Sequence, residues 1–198
     1  MKFRDVTIFS GHRFKVPQCV QRIDHRATHG WQLRYGGTKL FSDHSNDGSG
    51  AAASLALATK ELLKRIATLP APTTLQSGPS INKSSNLPPG ISGPIVRQRR
   101  GGRVRDCSFA VLLPRYGDAP LRRSVYIGTE NTYTQAKYRA ALNRALELRR
   151  EAEEVYRRQA TRARRAEAKL LRQSVLAAQA QAKAGKAEAA ARSPKLLG

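Results

Sequence analysis

Hydrophobic and polar positions alternate through Trp31, Leu33 and Tyr35, and Gly36-Gly37 then turns the chain into a second short run, Lys39 to Asp43. Alternation of period two is the mark of a half-buried strand. Residues 28–43 are therefore predicted to form a hairpin with Trp31, Leu33 and Tyr35 on its covered side. A Ser/Asn/Asp/Gly loop follows, and the period changes. In "AAASLALATKELLKRIATL" the positions Leu55, Ala58, Leu62, Ile66 and Leu69 fall on one face of a helix. Lys64 and Arg65 suit the C-terminal end of that helix, and Pro70 and Pro72 stop it.

Residues 70–89 are rich in Pro, Ser, Gly and Asn and read as a linker. The first pattern then returns. "ISGPIVRQRR", "CSFAVLLPR" and "LRRSVYIGT" are predicted strands, separated by the turns "GGRVRD" and "YGDAP". A helix is expected from about Thr132 to Ala184, with Thr132 or Thr134 as its N-cap, and Ala136, Leu142 and Leu146 facing the strands. Further along, Tyr156, Ala163 and Leu170 form a thin seam at heptad spacing. The fold class expected is α+β: two small units, each a three-stranded antiparallel sheet on one helix, plus a long basic C-terminal helix. The boundaries expected are 1–69 for the first unit, 70–89 for the linker and 90–150 for the second unit. A basic helical extension over 151–184 and a disordered tail over 185–198 complete the chain.

Charge changes the picture most. Lys and Arg number 36 against 14 Asp and Glu, a formal +22 over 198 residues. The surplus is spread: +6 over residues 1–69, +6 over 70–131 and +10 over 132–198. Such a chain attracts polyanions. Cys19 and Cys107 are far apart and neither belongs to a CxxC, which suits a reducing cytoplasm and argues against a disulfide framework or a zinc site. The opening residues lack the apolar stretch of a signal peptide, and no run of 18 apolar residues occurs. The expected location is cytoplasmic, nucleoid-associated in a bacterium or phage.

His25 and His29 are four apart, but they are expected in a turn rather than on a helix, so the logic of two His on one helical face fails, and no run in the order of an HNH-type nuclease follows, with His44 further on. No Ser/His/Asp or Cys/His arrangement and no Walker-type phosphate loop can be traced. No enzyme activity, cofactor or metal is expected.

At "VQRIDHRATHGWQLRYGGTKLFSD", with its Gly-containing loop and Ala-rich helix, the chain resembles the AP-two/ERF (ethylene-response-factor) DNA-binding domain, and more closely the bacterial and phage relatives of that domain. The second unit is similar at "SGPIVRQRRG", "SFAVLLP" and "SVYIGTENTYTQA". The resemblance covers roughly residues 18–67 and 90–150. It implies a three-stranded sheet laid in the DNA major groove with a helix packed on its back. Gln21, Arg22, Gln32 and Arg34 would then face outward in the first unit, and Arg97, Arg99, Arg122 and Tyr126 in the second. Phe109, Val111, Val125 and Ile127 would face the helix. The second unit departs from the family's Arg- and Trp-rich reading face, offering Ser108, Ala110 and Leu112 instead.

Lys39, Arg100, Arg103, Arg105 and Arg123 add candidate phosphate contacts, as do Arg157, Arg158, Arg164 and Arg165 on the C-terminal helix. From Arg149 to Arg172 there are 9 basic and 4 acidic residues, so pairing along the helix cannot neutralise it. The expectation is a sequence-preferring duplex-DNA-binding protein, a transcriptional regulator or a phage or mobile-element factor, with DNA favoured over RNA. An RNA-associated structural protein anchored by the basic helix is the alternative. A recombinase or nuclease fragment would need its catalytic domain on another chain. A membrane role ranks last, because the C-terminal helix has no broad apolar stripe. Self-association through that helix is a further candidate.

Overall fold

A computed structural model of the chain describes residues 1–191 apart from 77, 79, 80, 84, 99 and 100, with backbone alone over 178–179 and 181–191. It is an α+β structure with three antiparallel sheets and two helices among the described residues. Two compact units result: Met1–Pro72 together with the chain from Arg162, and Thr73–Thr161. Among the described residues those from Arg162 onward group with the first unit, whereas the sequence reading assigns 151–184 to a separate basic helical extension.

In the first unit β1 (Phe3–Thr7) and β2 (Arg13–Pro17) pair as a two-stranded sheet that the sequence reading did not anticipate. β3 (Val20–His25), β4 (Thr28–Arg34) and β5 (Thr38–Ser42) follow as a three-stranded sheet in sequential order. α1 (Ala51–Thr68) covers one face with Ala51, Ser54, Ala58, Leu62 and Ile66, spaced three and four apart. Trp31, Leu33 and Tyr35 are buried against it, as predicted, with Val16 of β2 in the same core. The Trp31 ring is fixed at its polar end, where Nε1 donates to the Ala51 carbonyl at 2.8 Å, and Phe14 meets it edge-on at 5.7 Å between centroids. Arg65 near the end of α1 donates through Nη1 to the carbonyls of Tyr35 and Gly37, each at 2.9 Å, and so holds the β4–β5 turn.

In the second unit β6 (Ile91–Gln98), β7 (Arg105–Leu113) and β8 (Leu121–Thr129) again run in sequential antiparallel order. α2 (Gln135–Ala191) starts behind Thr134, whose Oγ1 accepts the Lys137 N–H at 3.2 Å, so Thr134 rather than Thr132 is the cap. Ile91, Phe109, Val111, Leu113 and Ile127 form the core with Ala141 and Ala145 of α2. Leu142 and Leu146 are half-buried there, but Ala136 is exposed in the first turn, and packing begins at Tyr138.

Two further expectations are corrected. The heptad seam does not define the covered side of α2 in the first unit. Leu170 is exposed, and Ala168 and Leu171 are buried instead. Together with half-buried Arg164 and Val175 these follow steps of four, three and four, a seven-residue repeat in a different register from Tyr156, Ala163 and Leu170. The helix also continues through Gly185 to Ala191, past the predicted start of the tail. The remainder of that tail, 192–198, lies outside the described residues.

Candidate nucleic-acid interface

Strand pairing decides which side chains share a face, because direct cross-strand partners point the same way. In the first unit Gln21 pairs with Gln32, Gln32 with Leu40, and Arg34 with Thr38. These residues, with Ile23 and Ser42, make the face away from the core. Arg34 and Gln21 are exposed, and Arg34 Nε donates to Gln32 Oε1 at 2.6 Å. That contact leaves the two terminal nitrogens of the guanidinium for an incoming acceptor.

Arg22 departs from expectation. It pairs with Trp31, so it lies on the core face, with its guanidinium 5.0 Å from the centroid of the Trp31 ring. Its side chain is 7% exposed and bridges Asp43 at 2.6 Å and Asp24 at 2.7 Å. Asp43 in turn accepts from Ser54 Oγ at 2.5 Å, which ties the end of β5 to α1. Asp24 also accepts from His29 Nδ1 at 3.0 Å when that nitrogen is protonated. The Asp24 carboxyl titrates below the usual carboxylate range: burial alone would raise it, but the hydrogen bonds from Arg22 and His29 outweigh burial. Arg22 is thus a structural cation, not an outward one.

Lys39 pairs with Leu33 and so belongs to the helix side, where its Nζ stands 5.2 Å from the Phe41 centroid. It is nevertheless exposed. The consequence for the outer face is that both acidic residues of the sheet's core side, Asp24 and Asp43, are turned away from it.

In the second unit Tyr126 pairs with Ser108, Ser124 with Ala110 and Arg122 with Leu112, all on the face away from α2. Ser92, Ile95 and Arg97 of β6 join them through Ala110, Ser108 and Asp106. Tyr126 is 55% exposed. Small residues at the centre, Ser108 and Ala110, leave that face shallow between Tyr126 and Leu112. Phe109, Val111, Val125 and Ile127 turn toward the helix as predicted. Arg123 is opposite Val111 and therefore on the core side by register, though exposed. Arg99 and Arg100 lie outside the described residues.

Among the remaining candidates, Arg103 is exposed in the β6–β7 connection. Arg105 is committed to Glu130, with Nε at 2.9 Å from Oε2. On α2, Arg157 pairs with Glu153 at 3.2 Å, while Arg158 is exposed. Arg164 is drawn into the first unit: it pairs with Glu167 at 3.2 Å and contacts Gln18 Oε1 at 3.2 Å and Cys19 Sγ at 3.3 Å. Arg165 Nε donates to the Ile66 carbonyl at 3.4 Å. Lys2, Arg4, Arg13 and Lys15 of the N-terminal sheet are exposed basic residues that the sequence reading did not single out.

No described helix is long and apolar enough to cross a membrane. Among the described residues no group of three or more His, Cys, Asp or Glu is placed to hold a metal ion. Compared with known proteins, the chain matches no family model, no curated protein and no solved structure.

Proposed function

We propose that the protein binds nucleic acid, duplex DNA foremost, through the outer faces of its two three-stranded sheets. The observation that carries this reading is the β3–β5 outer face. It is not covered by α1, it is free of carboxylates, and it presents Gln32 and Arg34 side by side in a chain of charge +22. A twisted ribbon of strands fits a major groove about 12 Å wide. Arg donates in a fork to guanine, Gln pairs with adenine, and apolar groups such as Leu40 and Leu112 suit thymine methyls. The second face carries Arg97, Arg122 and Tyr126 in the same relation to its core. The resemblance to AP-two/ERF modules supports the same reading, and a regulatory or mobile-element role is the one we favour for it, in a cytoplasmic or nucleoid setting.

A second reading has its own observation. α2 runs for 57 residues with excess positive charge, a form suited to lying along structured RNA in a ribonucleoprotein. One experiment separates the two. Binding is measured to random duplex DNA, single-stranded DNA and structured RNA of equal length across a salt series, followed by selection from the preferred pool. Duplex preference with an enriched motif supports groove reading. RNA binding as strong or stronger, with no motif, replaces it with the RNA-associated reading.

A further inference from the structure

A notch of about 290 Å³ opens in the first unit where the start of β1 passes the start of β3. Lys2, Phe3 and Arg4 form one wall, and Cys19, Gln21 and Arg34 form the other. We infer that this notch seats one phosphodiester of a bound nucleic-acid backbone, so that the N-terminal sheet is a phosphate anchor beside the reading face. The inference rests on the nucleic-acid reading above.

The walls are held by backbone. Gln18 N–H donates to the Lys2 carbonyl at 3.0 Å, and Arg34 N–H donates to the Cys19 carbonyl at 2.8 Å. Cys19 adopts φ +78°, a conformation that L residues with a side chain seldom take. It makes the sharp link from β2 to β3 that brings the two walls together.

The cations are held by neutral groups. Arg4 Nη2 reaches across to the Val20 carbonyl at 2.9 Å, and Arg34 Nε is held by Gln32. Both guanidiniums are therefore oriented without a carboxylate to cancel them, and no acidic residue lines the notch. Behind the Cys19 wall Arg164 adds further positive charge, moderated by Glu167, and its buried Nε has no hydrogen-bond partner.

Size and chemistry select the ligand. The notch is at the small end of the range of about 300–1,000 Å³ typical of small-molecule pockets, enough for a phosphodiester with its sugar. Two guanidinium forks and an ammonium match a phosphate's oxygens. Phe3, exposed at the rim, offers an apolar edge to the sugar. Arg34 belongs both to the notch and to the outer sheet face, so a phosphate seated here would set the register of the duplex on that face.

The test compares the full chain with a Lys2→Gln/Arg4→Gln variant, whose unfolding midpoint is measured to show that it is folded. Affinity for selected and for random duplex is expected to fall by the same factor, about tenfold. Their ratio stays unchanged, and the salt slope becomes shallower by about 0.9 for the one phosphate lost. In a Cys107→Ser background, alkylation of Cys19 is expected to slow when duplex is bound. An unchanged salt slope with unprotected Cys19, in a protein that binds duplex normally, overturns the anchor and leaves the functional reading standing. If the unmodified protein binds no nucleic acid at all, both fall.

Discussion

Arg22 Nη2 stands 2.6 Å from Asp43 Oδ2, an ion pair whose carboxylate side chain is 0% exposed and whose guanidinium lies over Trp31. Asp43 also receives Ser54 Oγ, so one carboxylate joins β3, β5 and α1. Removing it leaves a buried guanidinium with only Asp24 to answer it. Asp43→Ala is expected to destabilise the first unit by about 3–5 kcal/mol, the usual cost of breaking a buried pair from one side. A small unit has little stability to lose. Urea unfolding followed by Trp31 fluorescence checks this, because Trp31 is the chain's one tryptophan and reports on this core. A midpoint unchanged from the parent protein would refute it.

The same network predicts how stability responds to acid. Burial opposes ionisation of Asp24, yet hydrogen bonds from Arg22 and His29 outweigh it and hold its carboxyl below the ordinary range. A depressed folded-state pKa contributes stability that is fully present above the unfolded value of about 3.9 and is lost as pH falls through the lower, folded value. The stability difference between the parent protein and Asp24→Asn should be greatest at pH 5 to 7 and should close below the unfolded pKa. Denaturation midpoints measured down to pH 2 test it, and parallel curves at every pH would count against the assignment.

The second unit has a comparable joint at Gly90 and Arg149. Arg149 of α2 donates to the Leu112 carbonyl and pairs with Glu153 at 2.6 Å, while the Leu112 N–H donates to Gly90 at 2.7 Å. Gly90 has φ +79°, and a Cβ there would fall 2.5 Å from Arg149 Nη1. Gly90→Ala is therefore expected to cost the backbone strain of about 1–2 kcal/mol and, in addition, the displacement of Arg149. In an Arg149→Ala background only the first part remains. A double-mutant cycle should return a coupling of at least about 0.5 kcal/mol. Strict additivity in thermal or urea unfolding would show that the two positions do not meet.

Much of this arrangement was legible in the chain, and the exceptions have physical causes. β8 and α1 stand out because their apolar periods, two and 3.6, are clean over Val125–Ile127 and over Ala51–Ile66. β1 and β2 were missed because "FRDVT" and "RFKVP" are five residues each and interleave charge with single apolar groups. Their partner is each other, and only the shared core with Trp31 gives Val16 its burial. Arg22 was misplaced for a different reason. "VQRID" has apolar residues at positions 20 and 23, an odd spacing that assigns no face, and the register that puts Arg22 opposite Trp31 is set by the two-residue turn at Arg26–Ala27. Asp43 drew no notice because its partners are 21 and 11 residues away. On the candidate interface, Gln32 and Arg34 could be placed from alternation alone. The involvement of Lys2 and Arg4 depended on the missed sheet.

Charge inventory and geometry make different predictions for arginines of equal formal charge, which is the most direct way to test the interface. Arg34 and Arg97 are exposed on faces turned from their cores, whereas Arg105 is committed to Glu130 at 2.9 Å and holds that carboxyl below its ordinary range through its hydrogen bonds. Arg34→Ala with Arg97→Ala is expected to weaken duplex binding by about 2–5 kcal/mol, since each good bidentate base contact is worth about 1–3. If the contacts are to bases, discrimination between the selected site and random duplex should shrink as well. Arg105→Ala frees Glu130 and removes a cation already paired at 2.9 Å, so it should change affinity far less than Arg34→Ala. Competition binding at one fixed salt concentration, with unfolding midpoints to show that every variant is folded, makes the comparison. Equal losses from all three would mean that the protein senses only total charge, and the sheet faces would lose their claim to reading sequence.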